Sequence, residues 1–201
     1  MKILGLSGSP RKSGNTAILI EEALKGAESE GAEIDLVSVS GKDLRGCDGC
    51  NACFSKGECH IKDDMHEIHD RMVAADGIVF GTPIYVYGMT AQMKAVIDRT
   101  YGLHGPEKSM ANKVGGAIVT AGSLGIIDSL KDFYFFFAVQ RMLAANFVGA
   151  YATEKGTAKA LTQGMTAAYN LGREMAQLVD KRFRYPSEFH PNFFGYGTHT
   201  H

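Results

Sequence analysis

Short, unbroken apolar runs alternate with longer stretches of helical period, and few folds accept that order. The runs are Ile3 to Leu6, Ile34 to Val39, Ile78 to Phe80, Val114 to Thr120 and Phe147 to Tyr151. Between them Ile20, Ala23, Leu24 and Ala27 recur at i, i+3, i+4 and i+7, as do Met65, Ile68 and Met72 at i, i+3 and i+7. Met89 to Tyr101, Ile127 to Leu143 and a segment from about Lys159 to Arg182, with Leu171, Met175 and Leu178 on one face, continue the helical pattern. Strands buried on both faces have no polar side to alternate with. The pattern therefore predicts five parallel strands covered by helices on both faces of the sheet.

A small-residue loop after the first of five strands matches the flavodoxin-like α/β arrangement, with strand order 2-1-3-4-5. A chain of 201 residues fits one domain, taken as residues 1–184, followed by an irregular tail at 185–201 with no assigned role. Lys and Arg total 21 and Asp and Glu 22, so the net charge is 21 − 22 = −1 and no basic field exists to hold a nucleic acid. The longest aromatic and apolar run, Phe133 to Val139, is far short of the ~20 residues that span a bilayer. The amino terminus lacks an apolar stretch long enough for a signal peptide. These features predict a soluble, cytoplasmic protein without nucleic-acid or membrane partners. The aromatic run itself is too crowded for one helix to bury on one side and is expected to form an oligomer interface, with core packing as the competing reading.

Right after the first strand comes Ser7-Gly8-Ser9-Pro10-Arg11-Lys12-Ser13-Gly14-Asn15-Thr16, leading into an amphipathic helix. Small residues admit a close ligand, hydroxyls and main-chain N–H groups can surround phosphate oxygens, and a helix amino end adds partial positive charge. Gly8 and Gly14 are one residue too far apart for a nucleoside-triphosphate P-loop, and Asn15 stands where its Lys belongs. Gly81-Thr82-Pro83-Ile84-Tyr85-Val86-Tyr87-Gly88, after the third strand, suits a flat heterocycle, and Thr120-Ala121-Gly122 adds a third loop on the same edge. One phosphate loop and two ring-facing loops describe a mononucleotide site, and a flavin is its natural occupant.

The stretches Gly8 to Thr16, Asp63-Asp64-Met65, Ala75 to Val79, Gly81 to Tyr85 and Lys94 to Arg99 resemble the NAD(P)H-dependent FMN reductase superfamily, over roughly residues 1–125. The resemblance implies a flavodoxin-like fold and bound FMN. By matched position, Ser9, Arg11, Ser13, Asn15 and Thr16 would hold the phosphate. Thr82, Pro83, Ile84, Tyr85 and Gly88 would line the isoalloxazine, and Ala121 and Gly122 would close the third side. No side chain stands out as acid or base beside the ring.

The connection from about Ser40 to Lys62 is far longer than the usual 2–6 residues between strand and helix, and it holds all four cysteines of the chain. Cys47, Cys50, Cys53 and Cys59 are spaced C-x2-C-x2-C-x5-C. Clustering within thirteen residues argues against a disulfide framework and for metal ligation. With no second cysteine set, the economical reading is one 4Fe-4S cluster on all four thiolates. A four-cysteine zinc site and free thiols are the competing readings. His66 and His69, at i, i+3 on the following helix, are expected at the surface rather than as ligands.

The spacing is similar to that of archaeal-type iron-sulfur flavoproteins. This predicts a flavin-dependent oxidoreductase that passes electrons from a ferredoxin-like carrier through the cluster and FMN to a small-molecule acceptor. The resemblance also implies a homo-oligomer, dimer or tetramer, in which the cluster approaches a neighbour's FMN. A plain NAD(P)H-dependent FMN or quinone reductase with a structural cysteine loop, and a noncatalytic zinc-stapled module, are the alternatives.

Overall fold

A computed structural model of the protein describes residues 1–103 and 110–186. The long strands are β1 (Lys2–Ser7), β2 (Glu33–Ser38), β3 (Gly77–Tyr85), β5 (Val114–Ala121) and β6 (Leu143–Tyr151), with the two-residue β4 (Gly88–Met89) folded back on the end of β3. The five long strands pair in parallel in the order β2-β1-β3-β5-β6, which is the expected flavodoxin-like order once β4 is set aside. The helices are α1 (Asn15–Ser29), α2 (Ala52–Lys56), α3 (Met65–Ala74), α4 (Ala91–Arg99), α5 (Ile126–Gln140) and α6 (Thr162–Asp180). None among the described residues is long and apolar enough to cross a membrane.

Each central strand sends alternate side chains to opposite faces, so one sheet builds two cores. Leu4, Leu6, Ile78, Phe80, Ala117 and Val119 pack against α3, α4 and α5. Ile3, Val79 and Ile118 pack on the other face against α1 and α6. On that second face the helices touch backbone to backbone. A Cβ on Gly26 of α1 would run into the Tyr169 carbonyl, and one on Gly172 of α6 into the Ala23 carbonyl. Ala23, Ala27, Ala168 and Ala176, all buried, keep the rest of that seam narrow.

Three expectations change. Phe133, Phe136 and Phe137 are buried and surround Phe80, with ring centroids 5.6–6.0 Å from it. These three rings are therefore core, the competing reading, while Phe135 of the same run is exposed. The helix carrying it has two apolar sides because it packs on the sheet and also faces β6, where Tyr134 Oη donates to the Ala145 carbonyl at 2.6 Å. That helix stops at Gln140, where Arg141 turns left-handed (φ 58°), and β6 begins at Leu143. Finally, Gly81 to Gly88 is mostly strand: Thr82 and Pro83 still pair with Val119 and Thr120, and only Val86 and Tyr87 form the hairpin tip. Both tip residues have positive φ (47° and 68°), as a type I′ turn requires, although neither Val nor Tyr favours it.

The α1–α6 seam yields a direct test. Gly172→Ala should raise helix propensity by about 1 kcal/mol, yet it should lower unfolding free energy by about 2 kcal/mol or more, because the opposing atoms are backbone and cannot rotate away. Urea denaturation checks the sign.

Candidate functional site

The chain leaves β1, runs out to β2 at one edge and returns to β3 on the other side of β1, so the strand order reverses between β1 and β3. The helices that follow these strands diverge to opposite faces and leave a crevice at the carboxyl edge. A cavity of about 200 Å³ lies there, lined from the ends of β1, β3, β5 and β6.

Its floor is the first loop. Gly8 N–H donates to the Gly81 carbonyl at 2.7 Å, and Thr90 Oγ1, the cap of α4, donates to the Gly8 carbonyl at 2.6 Å. Ser9 Oγ accepts from Arg11 N–H at 3.2 Å, which curls the loop, and Ser13 takes the left-handed conformation (φ 54°) just before Gly14 caps α1 without a side-chain bond. The first N–H groups of α1 have no intrahelical acceptors and face this loop. Ser9, Arg11, Asn15 and Thr16 all line the cavity, together with Gly14.

Besides Ser9, two of the phosphate-loop side chains are already engaged. Asn15 donates from Nδ2 to the carbonyls of Ala152 and Glu154 at 3.1 and 2.8 Å, and its Oδ1 accepts from Gly156 and Ala158 N–H at 2.9 and 3.2 Å. Its amide pins the loop after β6 over the cavity, leaving its main-chain N–H for a ligand. Thr16 Oγ1 shares a hydrogen bond with Thr120 Oγ1 at 2.7 Å. Ser13 is exposed and not among the lining residues.

Pro83, Ile84, Tyr85, Ala121 and Gly122 line the cavity and supply its apolar wall. Thr82 and Gly88 do not line it: Thr82 is fully buried, with its Oγ1 accepting from Thr90 N–H at 3.1 Å, and Gly88 pairs with Tyr85 in the hairpin. Under the hairpin, Gly125 (φ 100°) brings its backbone so close that a Cβ would stand 2.7 Å from the Tyr87 carbonyl oxygen. Sequence reasoning missed Ala152, Thr153 and Lys155 of the lining. The signal was present, since the strand ending at Tyr151 opens onto the same edge as the others.

The cysteine loop starts beside this cradle, where Ser40 Oγ donates to the Pro10 carbonyl at 3.0 Å. Its base is zipped shut: Asp43 N–H donates to Asp64 Oδ2 at 2.8 Å and Asp64 N–H to the Asp43 carbonyl at 3.0 Å. Arg45 N–H donates to Asp63 Oδ2 at 2.9 Å. Above that base, Cys47, Cys50, Cys53 and Cys59 line one cavity with Arg99, Tyr101 and Gly102, and all four are free thiols. Gly102 is the backbone side of this cavity, where a Cβ would stand 3.7 and 3.9 Å from the Cβ atoms of Cys53 and Cys59. Among the described residues, Asp48, Cys50 and His60 bring ligand atoms within 4.8 Å of one another, but Asp48 and His60 pair with each other at 2.7 Å. The Ala52 N–H favours the Cys50 thiolate, yet Asp48 beside it outweighs that and raises the thiol's pKa. Ligating a metal must therefore expel a proton from Cys50.

His69 is buried rather than at the surface, and His66 is half-buried. His66 Nε2 lies 3.1 Å from the Cys59 carbonyl, and the buried His69 donates from Nε2 to the Arg99 carbonyl at 3.0 Å. Both brace the walls of the cysteine loop rather than enter its cavity.

A family model described as NADPH-dependent FMN reductase matches residues 1–163. The chain is 38% identical over 189 residues to an iron-sulfur flavoprotein of Methanocaldococcus jannaschii, covering 89% of this chain and 97% of that one. The chain belongs to the NADPH-dependent FMN reductase family, on its iron-sulfur flavoprotein branch. A second relative, an iron-sulfur flavoprotein of Archaeoglobus fulgidus, is 32% identical over 188 residues, covering 92% of this chain and 83% of that one. Among solved structures, RosB has a TM-score of 0.72 at 19% identity, covering 90% of this chain and 79% of that one. An apo form of an NADH:FMN oxidoreductase has a TM-score of 0.63 at 21% identity, covering 94% of each. These two show the shared fold.

As a member of the family the protein is a flavin-dependent oxidoreductase, and FMN is its flavin. The cradle's residues fit it: free helix N–H groups and Arg11 at one end suit a phosphate, and Pro83, Ile84 and Tyr85 at the other suit a ring. At Gly122 the wall is bare backbone, and a Cβ there would stand 3.3 Å from Thr153 Cγ2.

The pH dependence of the cysteine-loop wall follows from His69. Burial, reinforced by the charge of Arg99, pushes its pKa from 6.5 down to about 4. Between those values the unfolded chain takes up a proton that the folded one refuses. Stability present above pH 6.5 is thus lost as the pH falls to about 4. The shift corresponds to about 3 kcal/mol. His69→Gln, which keeps the donor, should remove that part of the slope when metal-free protein is unfolded in urea at pH 7 and pH 4.

Proposed function

We propose that the protein is an electron-transfer iron-sulfur flavoprotein that moves electrons between a ferredoxin-like one-electron carrier and a small-molecule acceptor through a 4Fe-4S cluster and FMN. The carrying observation is that one helix joins two differently built cavities. The N-cap of α4, Thr90, bonds Gly8 of the phosphate loop, and its last residue, Arg99, lines the cysteine cavity. Nine residues at 1.5 Å each put those ends about 14 Å apart.

In this reading residues 1–184 act as one flavodoxin-like unit. Ser9, Arg11, Ser13, Thr16 and the main chain at Asn15 hold the phosphate, and Lys155 faces it from the loop that Asn15 pins. Pro83, Ile84, Tyr85, Ala121 and Gly122 hold the ring in a slot that excludes water, while Thr82 and Gly88 fix the shape of the hairpin behind it. Cys47, Cys50, Cys53 and Cys59 hold the cluster. When bound, FMN supplies one- or two-electron chemistry and the cluster one-electron chemistry, so the pair can match carriers of the two kinds. The names of the relatives support the cluster, and the four thiols sharing one cavity support its ligand set. The protein acts in the cytoplasm as a homo-oligomer, dimer or tetramer, in which the cysteine cavity of one chain serves the flavin of another.

Anaerobic reconstitution followed by flavin, iron, sulfide and zinc analysis tests this reading. About four irons and one FMN per chain, with a broad visible absorption beneath the flavin peaks, are the expected result. One zinc per chain without flavin overturns it in favour of a stapled module. Flavin without iron, bleached directly by NAD(P)H, overturns it in favour of a plain reductase.

The oligomeric part has its own test. Dilution to the monomer should slow electron transfer from reduced ferredoxin to flavin at least tenfold while flavin stays bound. Equal rates at all protomer concentrations place both steps within one chain.

A further inference from the structure

Arg99 is an unusual residue to find sealed beside a metal-ligand loop. It is 2% exposed, and its partner Asp63 has a side chain with no exposure at all. The fork of the guanidinium is fully used: Nη1 donates to Asp63 Oδ2 at 2.8 Å and to the Arg45 carbonyl at 2.9 Å. Nη2 donates to Asp63 Oδ1 at 3.0 Å and to the Ile61 carbonyl at 3.4 Å. Of the five donors an arginine carries, these bonds leave Nε–H, which is buried and has no acceptor among the described residues.

A buried donor without an acceptor is costly, and natural structures keep few of them. Arg99 lines the same cavity as Cys47, Cys50, Cys53 and Cys59. A guanidinium keeps its proton even when buried, and with Asp63 at 2.8 Å on one side the charge of Arg99 stays fixed on the wall of this cavity. A purely structural staple needs the fork, which already ties Arg45, Ile61 and Asp63 together. It does not need a fifth donor and a positive charge held against the sulfurs.

We propose that Arg99 tunes the redox equilibrium of the centre held by the four cysteines, by setting a fixed positive charge and its free Nε–H against the Cys59 side of the cavity. The inference rests on the four-cysteine cluster reading above. A cluster on four thiolates is anionic and gains one further negative charge when a one-electron carrier reduces it, with no bond made or broken. Net charge and hydrogen bonds to sulfur are the terms that set such potentials. Asp63 neutralises the fork side, so the ion pair acts as a dipole with its positive end toward the cavity, and it favours the reduced state. Arg99 is in this sense a positioning residue, acting on the electron's energy without touching the substrate.

The test compares reconstituted wild type with Arg99→Lys and with the double variant Arg99→Gln, Asp63→Asn. Removing Arg99 alone would bury the Asp63 charge unpaired and unfold the loop, whereas the double variant keeps the pair neutral and hydrogen-bonded. Iron and sulfide are counted per chain, the midpoint potential is read by redox titration monitored by electron paramagnetic resonance, and melting of the metal-free forms reports folding. The double variant is expected to load iron as wild type does and to favour oxidation at least tenfold more, a downward shift of about 59 mV for one electron. Arg99→Lys, which keeps charge but not the planar donor, is expected to shift in the same direction by less.

Full iron content with an unchanged midpoint potential in the double variant overturns this inference and leaves the proposed function standing. If the double variant loads no iron, Arg99→Lys decides: a lowered potential supports the inference, and an unchanged one reduces Arg99 to a staple. Wild type without iron overturns both.

Discussion

A parallel sheet with both faces buried has only its two ends open, and everything functional in this protein depends on that restriction. Helices on both sides seal the strands into two cores, so ligands can meet the chain only where strands give way to loops. Reversal of the strand order between β1 and β3 then parts the carboxyl end into a crevice. The phosphate loop, the Tyr85 hairpin, the loop at Gly122 and the loop pinned by Asn15 all emerge into it. None of them has to be stable alone, because each is anchored to a strand hydrogen-bonded into the sheet, although β6, at the edge, exposes Phe147 and Tyr151 on one face.

The cysteine loop solves a harder problem, since it leaves an edge strand and has little core of its own. It is held by polar bonds instead: backbone pairing between 43 and 64, the Asp63 carboxylate on Arg45 N–H, and the Arg99 fork beneath. Burial on its own would raise the Asp63 pKa, but Arg99 and two backbone N–H groups hold it down to about 2. A sealed ion pair of this kind specifies geometry more than it stabilises, because desolvation offsets much of the attraction. Here that geometry fixes the base of the loop on which all four cysteines are carried.

Much of this was legible in the residue order. Unbroken apolar runs read as buried parallel strands because that is the only sheet environment without a polar side. Ser9 to Thr16 read as an anion cradle because small residues, hydroxyls and a helix start coincide, and the cysteine spacing read as a metal loop for a similarly local reason. Nine of the twelve predicted cofactor residues line the crevice. Of the exceptions, Ser13 is exposed, Thr82 is buried against Thr90 and Gly88 lies on the returning strand of the hairpin, placements that spacing does not reveal. The burial of His69 was not foreseen because helical period shows which residues share a face and is silent on what that face meets.

Local chemistry and periodicity thus determined the strand and helix order, the place of the small-residue loop after the first strand and the clustering of the four thiols, since these depend on residues close in sequence. Only the tertiary structure decided that Phe133, Phe136 and Phe137 enclose Phe80, that Asn15 holds a loop 137 to 143 residues away, and that Arg99 closes the base of the cysteine loop. Each of those is a contact between distant segments, brought together by packing the chain on two faces of one sheet. No pattern within a single segment records which distant surface it will bury.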